Sequence, residues 1–260
     1  MTARPFDVTR FHAALTTRRF GREFMFEPSV GSTMDVAKDA AAHGAPDGAV
    51  CAADEQTAGR GRLGRSWVNP PAVNLASTLI LRPPVAILRQ IAMMTPLAIA
   101  RGVEEVCGVR PDLKWPNDVH VKGKKLAGVL IETDFTDAAH PVAYVGAGIN
   151  VNFDPREHAE IRDIATSLRA ELEREVDREP LLAAYLRHFE DLYDAAKAGQ
   201  SPYEEWKSRL ATLGERVHVS SQSGEIDGVA EDVDGDGSLL VRKDDGSLAE
   251  VEAADVTLRS

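Results

Sequence analysis

The chain has 260 residues, 43% of them hydrophobic, enough for one sizeable core and a small second domain. A formal net charge of −11 argues against the broad basic footprint of a nucleic-acid binder. No apolar run approaches the roughly 20 residues that span a bilayer. The arginine-studded stretch from Met1 to Arg22 lacks a signal peptide's apolar region, and Cys51 and Cys107 lie too far apart to suggest a disulfide framework or a metal site. The chain therefore reads as cytoplasmic, with no nucleic-acid or membrane partner.

Residues 1 to about 26 form a basic, weakly patterned lead-in. Ser32, with Asp35 three residues on, fits a capping box; Val36, Ala37, Ala40 and Ala41 give the apolar helical face, and Gly44 ends the helix. A Ser32-Thr33 pair at a helix start can offer hydroxyls and free N–H groups to a polar ligand, although capping alone accounts for Ser32. Val50 to Ala53 is a short strand, and Asn74 to Arg82 a second one that stops at Pro83-Pro84. Leu88, Ile91, Ala92, Thr95, Ile99, Gly102, Val103 and Val106 recur at helical spacing and predict a long core helix. Val119 to Val121 and Leu126 to Glu132 predict a hairpin about Lys122-Gly123-Lys124. Val142 to Val151 is a further strand, with small residues at Gly146-Ala147-Gly148. Helices are expected to dominate Glu157 to Leu210, one of them amphipathic and bracketed by Pro180 and Gly199. After Leu213-Gly214, short alternating runs separated by Gly/Asp turns, such as Asp234-Gly235-Asp236-Gly237, predict a small all-β barrel. The expected domains are 1–212 and 213–260.

The stretch Glu55-Gln56-Thr57-Ala58-Gly59-Arg60-Gly61-Arg62-Leu63-Gly64-Arg65-Ser66-Trp67 stands out against this acidic background. Guanidinium forks suit carboxylate or phosphate, and glycines let the backbone approach a ligand, so the loop reads as an anion clamp. A solvated basic loop is the plainer alternative. Gly59-x-Gly61-x-x-Gly64 matches the dinucleotide fingerprint formally, but the Arg-Ser-Trp-Val-Asn-Pro-Pro that follows cannot open a helix. No Walker A motif is present.

Taken with Ser32-Thr33, Lys114-Trp115-Pro116-Asn117-Asp118, Lys125-Leu126-Ala127-Gly128 and Gly146-Ala147-Gly148-Ile149-Asn150, the loop resembles the biotin protein ligases from about Ser29 onward. The resemblance implies an α+β fold. A mixed β-sheet flanked by helices, of the class II synthetase-like kind, would be followed by a small SH3-like β-barrel. It implies a monofunctional enzyme without an N-terminal DNA-binding domain. The reaction would activate biotin with ATP and Mg²⁺ as biotinyl-5′-AMP, then acylate a lysine of a biotin carboxyl carrier domain. The oligomeric state is left open, a homodimer included.

By the same resemblance Arg62, Lys125 and Asp118 are the catalytic residues, Asp118 as a base or an orienting carboxylate. Ser32, Thr33, Gln56, Gly59, Arg60, Arg62, Lys125 and Gly128 would meet biotin. Arg60, Arg62, Arg65, Trp67, Lys114, Asn117, Lys125 and Asn150 would meet the nucleotide. Met34 departs from the Asn that often follows the Ser-Thr pair. Two rival readings are a lipoate–protein ligase, whose loop usually runs Arg-Arg-x-Ser-Gly-Gly-Gly, and a non-catalytic biotin- or nucleotide-binding protein.

Overall fold

The computed structural model describes residues 4–221, 224–252 and 254–258. Its larger sheet has seven strands: β1 (Phe24–Val30), β2 (Val50–Gln56), β3 (Leu75–Leu81), β4 (Asp112–Lys114), β5 (Asp118–Val121), β6 (Lys124–Asp134) and β7 (Val142–Ile149). They lie in the order β1-β2-β3-β7-β6-β5-β4, with β1 and β2 parallel and the other pairs antiparallel. The mixed sheet expected from the sequence is present.

Strand β3 is buried at every position, because both of its faces are covered. The period of two sorts its neighbours. Val50, Leu79, Leu81 and Val145 join the main core, to which the long helices α3 (Ile91–Cys107) and α5 (Arg178–Lys197) contribute Leu97, Ile99, Leu182 and Phe189. Cys51, Ile80 and Tyr144 point the other way and pack with Met34 and Ala37 of α2 (Thr33–Ala42). Ser32 caps α2 by accepting from the Met34 N–H, and Gly44 follows the helix at φ +92°. Helix α2 covers only half of its face. Beyond Gly146, where Met34 ends its cover, the same face continues toward β4 through Gly148 and Gly128.

Two stretches differ from the sequence expectation. The lead-in is folded: α1 (Val8–Ala14) packs on α5, and Phe6 stacks on Phe26 of β1 with ring centroids 5.3 Å apart. Its order comes from contacts with residues 170 or more positions away, which no local pattern reports; Glu190 accepts from the Arg18, Arg19 and Phe20 N–H groups. Between Glu157 and Leu210 the helices are α4 (Leu168–Leu172), α5 and α6 (Tyr203–Ser208), while residues 157–167 run as turns.

The C-terminal sheet consists of β8 (Arg216–Ser221), β9 (Gly224–Val233), β10 (Leu239–Lys243), β11 (Leu248–Val251) and β12 (Asp255–Leu258) in the order β11-β10-β9-β8-β12. Four of these strands were legible as alternating runs; β12 was not. This sheet is fastened to the rest of the fold by two donors: Trp115 Nε1 donates to Gly237 O at 2.8 Å, and the Tyr203 hydroxyl of α6 to Val233 O at 2.6 Å; the Trp115 N–H in turn donates to Thr212 Oγ1, just before the sheet, at 2.9 Å. No helix among the described residues is long and apolar enough to cross a membrane.

One buried ion pair ties the N-terminal segment to β2. Arg178 Nη1 lies 2.7 Å from Asp54 Oδ1, with side-chain exposures of 3% and 7%, and Arg178 also donates to Asn74 O and Arg4 O. Arg178→Met strands the Asp54 charge and should cost roughly 3–5 kcal/mol of unfolding free energy, measured by urea denaturation.

Candidate active site

Cross-strand register builds the floor of the site. Lys114 pairs with Asp118, Asp118 with Gly128, Gly128 with Gly148, and Gly148 with Ala76, so these positions form one row across the open half-face. Two adjacent positions in that row have no side chain. The indole of Trp67 lies in the resulting notch, and a Cβ on Gly148 would run into it. A Cβ on Gly128 would sit 2.9 Å from Lys125 Cε and 3.2 Å from Trp67 Cζ3. The indole Nε1–H is buried with no partner among the described residues, so a bound acceptor would recover a hydrogen bond there.

Lys125 joins this face through a register shift between Val119 and His120. Before it Val119 pairs with Ala127; after it His120 pairs with Lys125, leaving Leu126 as the extra residue. In a regular strand, positions 125 and 128 would point to opposite faces. Here Lys125 Nζ lies 2.7 Å from Asp118 Oδ1 and 5.8 Å from the Trp67 ring centroid. A second chain segment braces its backbone. Lys125 N–H donates to Ile164 O at 2.8 Å and Thr166 N–H to Lys125 O at 2.9 Å.

The Arg/Gly loop folds back on itself, with Gly61 N–H donating to Arg65 O at 2.7 Å and Trp67 N–H to Gly59 O at 2.9 Å. Leu63 stands at its tip with φ +53°. Arg62 leans inward, Nη1 donating to Asn117 Oδ1 at 3.1 Å and Nη2 to Ala254 O at 3.5 Å; Asn117 in turn donates to Val129 O. Arg60 turns to α2 and makes a two-pronged pair with Asp35 at 2.8 and 2.6 Å. Asp35 therefore spends its carboxylate on Arg60 rather than on the reciprocal half of a capping box. Arg65 is exposed on the loop, and Lys114 is half-buried at the far end of the row.

At the other end of the notch, Gln56 Oε1 accepts from the Thr33 N–H at 2.9 Å and from Thr33 Oγ1 at 3.0 Å. With that proton committed, Thr78 donates to Thr33 Oγ1 across 2.9 Å. The Met34 Cε lies 3.1 Å from where a Gly146 Cβ would be, so Met34 closes this end with apolar surface. A Cβ on Gly59 would lie 2.5 Å from Trp67 O.

Thr33 and Gln56, with Ser32 beside them, thus lie at one end of the glycine row, Trp67 over it against Gly59, Gly128 and Gly148, and Lys114, Asp118, Lys125, Asn117 and Arg62 toward the other end. Two predicted residues are engaged elsewhere. Arg60 is held by Asp35. Asn150, 4% exposed, donates to Thr166 O at 3.0 Å and accepts from Asn74 at 3.4 Å, so its amide supports the Lys125 brace. Sequence reading missed Thr78 and His120. Adjacent hydroxyls in the apolar run Ala76-Ser77-Thr78-Leu79, and the two-residue step from Asp118 to His120, were the available signals.

Burial alone would favour a protonated Asp118. The Lys125 ammonium at 2.7 Å, with the His120 ring close by, outweighs it and holds the carboxyl below its ordinary value of 3.8. A depressed folded-state value means the pairing is complete above 3.8 and is lost only as pH falls through the lower value. The Asp118 carboxyl ¹³C shift should accordingly titrate with a midpoint below 3.8, and Lys125→Ala should move that midpoint upward.

Residues 26–150 match the Biotin/lipoate A/B protein ligase family and residues 212–259 the Biotin protein ligase C terminal domain. The biotin–(acetyl-CoA-carboxylase) ligase of Mycobacterium tuberculosis is 33% identical over 235 residues, covering 87% of this chain and 85% of that one. The bifunctional ligase/repressor BirA of Bacillus subtilis is 32% identical over 249 residues, covering 94% and 76%. The biotin protein ligase from Aquifex aeolicus in complex with biotin and ATP superposes with a TM-score of 0.79 at 30% identity, covering 92% and 99%.

Proposed function

The chain belongs to the biotin protein ligase family, and from that premise we infer how its own residues carry the two steps. It is an ATP-dependent ligase that converts biotin to biotinyl-5′-AMP and passes the acyl group to a protein lysine. The acceptor we propose is a biotin carboxyl carrier domain. The observation that carries the residue-level reading is the meeting of Lys125, Asp118, Arg62 and Asn117 at one end of the glycine notch, with Thr33 and Gln56 at the other.

The first step drives a carboxylate against a polyphosphate. At ~4 Å and an effective dielectric near 20, each pair of like charges costs about 4 kcal/mol, and removing one such cost is worth roughly a thousandfold in rate. Fixed cations aimed at the meeting point are the main requirement. Lys125, braced on both backbone sides, and Arg62, held by Asn117, supply them. Thr33 and Gln56 offer directed polar groups to the ureido ring, and Trp67 covers the acyl-adenylate and keeps out water. Arg65, Lys114 and Asn117 face the nucleotide. Mg²⁺ enters on the ATP phosphates as part of the substrate.

In the second step the amine lone pair attacks the acyl carbon, the bond to the phosphate oxygen breaks, and AMP leaves with the electron pair. A free lysine titrates near ~10.4, so a carboxylate held below 3.8 is a poor sink for its proton. We therefore assign Asp118 the orienting role: it fixes Lys125 and attracts the incoming ammonium, which loses its protons to solvent. The boundary we propose between catalytic and C-terminal units falls at 212/213.

Biotin-dependent exchange of labelled pyrophosphate into ATP, run beside lipoate, tests the reading; exchange with biotin alone is expected, and exchange with lipoate alone would overturn it. Lys125→Ala should retain the fold and lose most exchange, on the order of a hundredfold or more. Arg62→Gly should release biotinyl-5′-AMP into solution faster than the parent protein, seen by trapping the free adenylate.

A further inference from the structure

His120 lies behind Asp118, on the same face of β5 and directly across the register from Lys125. It is 9% exposed. Its Nδ1 is 3.2 Å from Gly123 O, so in the neutral ring Nδ1 carries the proton and donates it to that carbonyl. Nε2 is then a bare lone pair. It is buried, has no hydrogen-bond partner among the described residues, and faces Asp118 Oδ2 at 3.9 Å. Asp118 thus stands between two nitrogens, Lys125 Nζ on one oxygen and His120 Nε2 on the other.

We propose, resting on the ligase reading above, that His120 is a positioning residue for the acyl-transfer step, acting through Asp118. Neutral, it leaves the carboxylate balanced by Lys125 alone, and the acceptor's ammonium meets a pair without net charge. Protonated, it places an N–H and a second cation on the same carboxylate, and the arriving ammonium meets a net positive site. No bond of His120 is made or broken in the reaction; a proton from solvent is the only species it exchanges.

The surrounding charges leave room for this role. On β6, Lys125 is committed to Asp118, and Lys124 Nζ reaches Arg162 O at 3.4 Å. On β4, Asp112 sits across the register from His120 but is exposed, and Lys114 lies opposite Asp118. In the bracing segment Arg162 pairs with Asp163 at 3.6 Å. On α4, Glu171 is taken by Lys122 and Thr166.

The test compares the parent protein with His120→Phe and His120→Gln. Preformed biotinyl-5′-AMP is supplied, and transfer to a carrier domain is followed in single turnover from about pH 8 to about pH 5. Protonation of the acceptor lysine as pH falls slows all three proteins equally. The ratio of variant to parent transfer rate should rise about tenfold per pH unit below the midpoint of His120. Biotin-dependent pyrophosphate exchange in the same buffers should show no such rise. The parent protein alone gives an arm that needs no variant: its transfer rate should steepen from inverse first to inverse second order in proton concentration at the midpoint of the His120 ring, read by ¹⁵N NMR. A flat ratio, or a parent profile that stays inverse first order through that midpoint, overturns the role of His120. Absence of biotin-dependent exchange in the parent would instead overturn the ligase reading itself.

Discussion

A single extra residue in β6 decides which face Lys125 serves. Without the register shift at Val119/His120, the lysine would point away from Gly128 and from the notch that Trp67 fills. The rest of the site is arranged around that displaced residue. Asp118 meets its amine, Ile164 and Thr166 clamp its backbone, and Asn150 holds the clamp in place. A bulge beside an active site that re-aims one side chain is a recurrent device. Here it brings a cation from a hairpin arm onto the face where the helix α2 stops short.

The site is a half-covered sheet face whose two ends differ in character. The end near α2 is neutral: Thr78, Thr33 and Gln56 form a run of hydrogen bonds, with Met34 as an apolar stop. The end near β4 is charged: Lys125 lies on Asp118, and Arg62 on the preceding residue, Asn117. A ligand that is polar but uncharged at one end and anionic at the other lies naturally along this axis. Biotin followed by a nucleotide phosphate has that polarity, which links the register of the sheet to the order of the substrates.

Much of this could be read from the sequence, and what could not has a physical cause. The strands β3, β6 and β7, the helices α3 and α5, and the Arg/Gly loop all carry local signatures: apolar runs, helical spacing, or a charge pattern against its background. The site residues clustered in motifs for the same reason. The folded lead-in, the bulge and the bracing segment 161–167 were hidden, because each depends on partners far along the chain. Arg60 shows the limit most plainly. Its place in the Gly-Arg-Gly-Arg run suggests a phosphate contact, yet its partner is Asp35 on α2, a pairing that the loop sequence cannot report. Likewise the conversion of Asn150 from ligand contact to internal brace follows from Thr166 and Asn74, neither of which is near it in sequence.

The contact between Arg62 and the Ala254 carbonyl spans 192 residues. Such a contact forms only after the intervening chain has been made and folded, because closing so long a loop is rewarded late. A polypeptide still emerging from the ribosome would already display the loop's guanidiniums, but without the carbonyl that helps hold Arg62 over Asn117. The order of synthesis therefore separates possession of the loop's cations from the last of the contacts that hold them.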